Sequence, residues 1–197
     1  MIMTRARYYT DGIALQASQK PKGTTMPTRW MKTLLWLFVI DLGIAFGAGL
    51  YEHRIVFPRW LSVATDGGVH WNADAVRLDN SGLRFWAYVT TGPLTVLTLA
   101  NLWAAWRHAH GWIRLWWVSA STVSLVERVL TLAYFVPTMI GLMNAPDTME
   151  SVAAASRWSE LNYLRHSLAF AAWLLALQSF SMVHRVVTAP PDTVREA

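Results

Sequence analysis

Between Phe85 and Trp106 lie 22 residues without a single charged side chain. At 1.5 Å per residue an α-helix of that length reaches about 33 Å, enough to cross the roughly 30 Å hydrocarbon core of a bilayer. Three further stretches have the same character. Leu34 to Leu50 is apolar except for Asp41, and Trp30 and Trp36 stand near its start. Leu115 to Met143 is interrupted by Glu127-Arg128, and Leu161 to Val183 carries Asn162, Arg165 and His166 early and is apolar afterwards. With 15% charged residues against roughly 25% in soluble domains, the 197-residue chain reads as all-α: an integral membrane bundle of four transmembrane helices.

The remaining chain is short. Residues 1–29, with "SQKPKGTTMP", read as a disordered cytosolic tail, and Met26 is a second candidate start that would remove most of it. Residues 30–185 form the transmembrane domain and 186–197 a C-terminal tail. A cleaved signal peptide does not fit, because the first apolar run begins late, is long and lacks a small-residue cleavage pattern. The tail with Lys32, the 107–114 connection and the C-terminus hold ten Lys and Arg, against five in the 51–84 and 144–158 connections. The positive-inside rule then places both termini in the cytoplasm of a plasma or bacterial-type inner membrane. The 51–83 connection, with the turn signals "TDGG" and "LDNSG", lies outside and is expected to fold back as a cap.

Several chemistries are excluded. The chain has no cysteine, so disulfides, thiolate metal sites and Cys nucleophiles are absent. The net charge of +5 comes without a basic stripe interleaved with stacking aromatics, so nucleic acid is not an expected partner. A ferritin-like site would need a Glu-x-x-His pair on each of two helices, and no such pair occurs. No metal and no cofactor is therefore expected. The expected partners are the bilayer itself, a small lipophilic ligand, and a second copy of the chain.

Charges within a membrane are costly and turn toward the bundle interior. Asp41, Ala45, Ala48 and Glu52 share one face of the first helix, and Glu127, Thr131, Tyr134 and Thr138 one face of the third. Trp158, Asn162 and Arg165 or His166 align on the fourth, and Thr91, Thr95, Thr98 and Asn101 on the second. The stripes predict a polar cavity floored by Glu127-Arg128. Glu52, His53 and Arg54 stand at its mouth, with Asn162, Arg165 and His166 about 5–12 Å below the start of the last helix. The candidate site is Glu52, His53, Glu127, Arg128, Asn162, Arg165 and His166. Neighbours in sequence point about 100° apart on a helix, so Glu127 and Arg128 are expected to pair with other helices, Glu127 with Arg165. Arg54 reads as part of a surface collar, and Gly43-x-x-x-Gly47 as a close-packing motif.

Three stretches carry a resemblance: "GAGLYEHRIVFPRW", "ERVLTLAYFVPTMIGLM" and "RWSELNYLRH". Together they resemble the four-span membrane family that includes the anthrone oxygenases, most of whose bacterial members have no assigned activity. Pro58 matches the Pro after the family's first span, and Trp158, Asn162 and Arg165 match the Trp-x-x-x-Asn-x-x-Arg pattern opening its last. The resemblance covers roughly residues 33–185 and implies a four-helix bundle. For a minority of members it implies oxygen insertion into a phenolic tricycle without a metal. It would make His53, His166 or Glu52 the base and let Arg165 and Asn162 hold an enolate-like oxygen. The long outer loop and the Glu127-Arg128 pair depart from the family's shortest members. Two functions thus stand side by side: an oxidoreductase or oxygenase acting on a lipophilic aromatic substrate, and a non-enzymatic ligand-binding, transport or accessory protein.

Overall fold

Residues 29–63, 65 and 67–188 are described by a computed structural model. The expected tail and the chain end beyond Thr188 lie outside these residues. The elements run α1 (Arg29–Trp60), β1 (Leu61–Val63), β2 (Val69–Trp71), α2 (Ala73–Asp79), α3 (residues 82–108), α4 (Gly111–Met143) and α5 (Met149–Thr188). The four long helices close into a ring in which α1 and α4 each pack against both α3 and α5. Three of them, α1, α4 and α5, are long and apolar enough to cross a bilayer, and this is a membrane protein.

What faces outward supports that reading physically. Ile40, Ile44, Leu99, Val126, Val129, Leu132, Ile140, Leu164 and Leu174 are all exposed, an arrangement that water penalises and lipid does not. The inward faces carry small residues, with Ala45, Ala104, Ala105, Ala120, Ala172 and Ala176 buried. In lipid no hydrophobic drive pulls helices together, so close packing and polar contacts do that work. Asn101 donates to the Leu34 and Leu97 carbonyls at 3.4 and 2.8 Å and accepts from the Trp117 indole at 2.9 Å, tying α1, α3 and α4. Thr98 and Ser124 share a hydroxyl contact of 2.8 Å between α3 and α4.

Two helices extend further than their apolar runs indicate. α1 does not stop near Leu50 but continues to Trp60, so Glu52, His53 and Arg54 stand within a helix and not at its end. α5 begins at Met149, twelve residues before Leu161. Asn162, Arg165 and His166 therefore lie about 20–26 Å from its start, deeper than the sequence reading placed them. In both cases the extra turns are amphipathic and bury their apolar side against the cap, a tertiary contact that hydropathy alone does not register. Of the expected close-packing pair only Gly43 lies tight against α5, where a Cβ would fall 3.2 Å from the Trp173 indole. A Cβ at Gly47 would meet nothing within 4 Å, whereas one at Gly49 would lie 2.4 Å from the His166 ring.

The 51–83 connection does fold back, as a small cap. β1 and β2 pair antiparallel with Leu61 opposite Trp71. The Asn72 side chain caps α2 by accepting from Ala75 N–H at 2.9 Å, and Asn80 ends that helix in the left-handed conformation, at φ 43°. An apolar cluster of Trp60, Trp71 and Val76 from the cap, Phe135 and Leu142 from α4, and Val152 and Trp158 from α5 seals this end of the ring. The Trp71 indole donates at 2.9 Å to the Leu142 carbonyl, which also accepts from Ala145 N–H at 3.2 Å, tying the cap to the end of α4.

A second tie on the cap titrates. His70 Nδ1 lies 2.7 Å from one Asp147 carboxylate oxygen, and Trp71 N–H donates to the other at 2.9 Å. The His70 contact first, and the Trp71 N–H second, hold the Asp147 carboxyl below its usual value of 3.8. A depressed carboxyl stabilises the fold above its unfolded pKa and loses that contribution as pH falls through the folded one. Hydrogen-exchange protection of the Trp71 amide is therefore expected to persist down through the ordinary carboxylate range and to fall only below it. Asp147→Ala should remove the protection at every pH. Equal protection in wild type and variant would disprove the latch.

Candidate functional site

Three of the four long helices widen into π-helical turns, and all three turns meet at one place. Phe57 N–H bonds to the Glu52 carbonyl, Gly92 N–H to that of Ala87, and Val136 N–H to that of Thr131, each five residues back. A proline follows each widened segment within two residues: Pro58, Pro93 and Pro137. Proline lacks the N–H for the next i→i−4 bond and crowds the preceding turn, so the backbone widens just before it. Such turns re-aim side chains and gather at functional sites. Here they present Glu52, Trp86 and Thr131 to a common cavity of about 330 Å³.

The cavity has apolar and aromatic walls, with Trp60, Trp86, Phe135, Met139, Met143 and Trp158 among them. Its ionisable groups are Glu52, Glu127, Arg128, Arg165 and His166, joined by the neutral Asn80, Ser81, Thr91 and Thr131. The structure thus brings together five of the seven expected site residues, one from α1, two from α4 and two from α5. His53 and Asn162 stand outside the lining. The His53 ring packs between Phe57, Tyr163 and His166, with centroids at 6.0, 4.4 and 6.1 Å, and its Nδ1 is buried without a partner among the described residues. Asn162 donates to the Trp158 carbonyl at 3.0 Å, while its Oδ1 is buried without a partner among the described residues.

Glu127 and Arg128 correct an expectation. Despite their divergent directions along the helix they form an ion pair with each other, with Arg128 Nε 2.5 Å from Glu127 Oε2. Both are nearly fully buried, at 2% and 5% exposure. The guanidinium has a long flexible stem, and the cavity floor leaves it room to curl back to its neighbour. Thr131 Oγ1 donates to the other carboxylate oxygen at 3.0 Å. Glu127 is thereby satisfied within α4 and makes no ion pair with Arg165. The widened turn also changes which residues follow it inward, since Phe135 is buried while Tyr134 and Thr138 are only half-buried.

Arg165 is left in an unusual position. Among the described residues it makes no hydrogen bond and no ion pair. Its guanidinium instead lies over two rings, 4.9 Å from the Phe135 centroid and 5.6 Å from that of Trp86. Stacking on aromatic faces leaves the edge of the guanidinium, with its N–H donors, open to the cavity. Glu52 is the counterpart. It is buried, and one carboxylate oxygen accepts from Ser81 Oγ at 2.5 Å and the Trp86 indole at 2.9 Å, with no cation paired to it. Trp86 therefore holds the carboxylate through its N–H and the guanidinium through its face. The cavity offers one acidic and one basic group, neither neutralised by an ion pair.

Trp86 and Ser81 were not among the residues singled out from sequence. Trp86 begins an apolar run, where a tryptophan reads as an interfacial anchor, and Ser81 lies in a turn signal. Only the widened start of α3 turns both toward Glu52. No three His, Asp or Glu side chains converge as a metal set among the described residues. Comparison with protein-family models, curated proteins and solved structures finds no match to this chain.

Proposed function

We propose that the protein binds a small lipophilic aromatic molecule bearing one acidic oxygen, a phenol, enol or carboxylate, with that oxygen on Arg165. The carrying observation is a guanidinium stacked on two rings, without an ion-pair partner among the described residues, in a cavity whose walls are mainly apolar and aromatic. A cation in such a place is costly until an anionic or strongly accepting oxygen reaches it. The aromatic walls complement a flat ring system, and the volume matches a small-molecule pocket. In this reading α3 is the fourth span, its charge-free run lying alongside the other three, and the cap faces away from the cytoplasm.

A second reading is favoured by Glu52. A carboxylate held only by neutral donors, across Trp86 from a guanidinium, is arranged to take a proton from an enolisable carbon while the resulting enolate oxygen rests on Arg165. With molecular oxygen as co-substrate, the carbanion adds O₂, and the peroxide loses water to leave a carbonyl. That is the oxygenase chemistry implied by the family resemblance.

The test is direct because Trp60, Trp86 and Trp158 line the cavity and serve as donors for energy transfer to an anthracene. Wild-type protein in detergent should bind 2-hydroxyanthracene saturably. Arg165→Ala should weaken binding roughly 10- to 150-fold, the effect of one charge-assisted hydrogen bond of about 1.5–3 kcal/mol. Affinity unchanged by Arg165→Ala would overturn the binding reading. Oxygen uptake with anthrone, abolished in Glu52→Gln while 2-hydroxyanthracene still binds, is the result expected of the enzymatic reading. No uptake by wild-type protein would remove that reading.

A further inference from the structure

Toward the cap the cavity is bounded by Trp60 and the turn Asn80-Ser81-Gly82, and it opens toward the side. At the cap end Trp60, Trp71, Leu142, Val152 and Trp158 form the buried cluster that seals the ring. At the opposite end α3 and α4 pack closely through residues 92–108 and 111–130, with the Thr98–Ser124 and Asn101–Trp117 contacts between them. Beyond these contacts the two helices part. No comparable packing joins residues 82–91 of α3 to residues 131–143 of α4.

Leu83 on α3 and Leu132, Val136 and Ile140 on α4 all line the cavity, and all are exposed on the outer surface as well, Leu83 at 62% and Ile140 at 57%. One residue can do both only at the rim of an opening. The α4 side of the rim is aliphatic, and α4 is long and apolar enough to cross a bilayer, so that side is suited to face hydrocarbon. Asn80, Ser81 and Gly82 form the end of the rim nearest the cap. The two widened turns, Gly82–Thr91 and Thr131–Phe135, lie on the two sides of the opening.

We infer that the ligand enters from within the bilayer, through a lateral portal between residues 82–91 and 131–143, and is therefore a membrane-dissolved molecule. This rests on the ligand class proposed above and narrows it. A lipophilic phenol or acid dissolved in the leaflet slides between Leu83 and Ile140 with its polar oxygen leading toward Arg165.

The absence of cysteine makes the test clean. In lipid vesicles, Leu83→Cys combined with Ile140→Cys is bridged across the portal with a short bismaleimide. Uptake of 2-hydroxyanthracene is then followed by energy transfer from tryptophan after rapid mixing with preloaded vesicles. The bridged protein should take up the probe at least about tenfold more slowly than the same protein unbridged. Probe bound before bridging should be released more slowly by a similar factor, with equilibrium affinity retained. Val136→Trp, which narrows the same rim without chemistry, should slow uptake in the same direction and serves if the Cys pair does not fold. Uptake at the wild-type rate in either variant would overturn the portal. Failure of the wild-type protein to bind the probe would instead overturn the ligand reading, so the two are distinguished.

Discussion

Arg128→Met is expected to cost about 3–5 kcal/mol of stability, read as a large fall in thermal midpoint in detergent. The cost comes from Glu127, not from the lost arginine. Glu127 is buried, and its other polar partner is the Thr131 hydroxyl, so removing the guanidinium leaves a buried carboxylate with one neutral donor and no counter-charge bonded to it. The companion Glu127→Gln/Arg128→Met variant removes both charges and should recover most of the loss, because a neutral amide needs far less solvation. If the single variant is as stable as wild type, the ion pair is not the element holding the cavity floor. If the double variant is no better than the single one, the damage lies in packing around the arginine stem.

Gly49 is the second point of large effect. It sits in α1 against the His166 ring of α5, and an added Cβ would fall 2.4 Å from Cε1 and 2.8 Å from Nδ1 of that ring. Those distances lie well inside van der Waals contact, so Gly49→Ala must either push the ring aside or spread the two helices. His166 is buried, with the His53 ring 6.1 Å away and the cavity on its open side. The open side is the easier direction, and the displaced imidazole then occupies space meant for a ligand. The expected outcome is a destabilisation of about 1–3 kcal/mol together with weakened binding of 2-hydroxyanthracene. Adding His166→Ala should restore the stability but not the wild-type affinity. A double-mutant cycle with no coupling between the two positions would show that the contact carries no energy.

Much of the site was legible because a charge in an apolar helix has few places to go. Asp41, Glu52, Glu127, Arg165 and His166 stand out against long apolar runs, and helical periodicity alone turns Glu52, Glu127 and His166 inward, where the structure finds them buried. The pairing of these groups was not legible. Glu127 and Arg128 joined each other although ideal helix geometry sets adjacent side chains about 100° apart, because stem flexibility and local space outweigh backbone direction. His53 and Asn162 have the chemistry of site residues, yet they lie behind the wall, since one position along a helix separates cavity from helix–helix contact.

The cap shows the same division. That the 51–83 connection folds back follows from its tryptophans and turn residues, which suit the surface of a bundle. That α1 runs on through Glu52 to Trp60, and α5 starts at Met149, does not follow from hydropathy, because those turns are buried only by tertiary contact with each other, the cap and the end of α4.

By itself the sequence determined the helical membrane class, the long helices, and the inward direction of Glu52, Glu127 and His166. Those are consequences of solvent preference and of a 3.6-residue period, and both are local properties. The tertiary structure alone decided where three proline-linked turns widen and meet, that Trp86 holds Glu52 and Arg165 at once, and that α3 and α4 part on one side. Each of those depends on how separate helices fit together in space, and a pattern along one helix carries no record of the gap beside it.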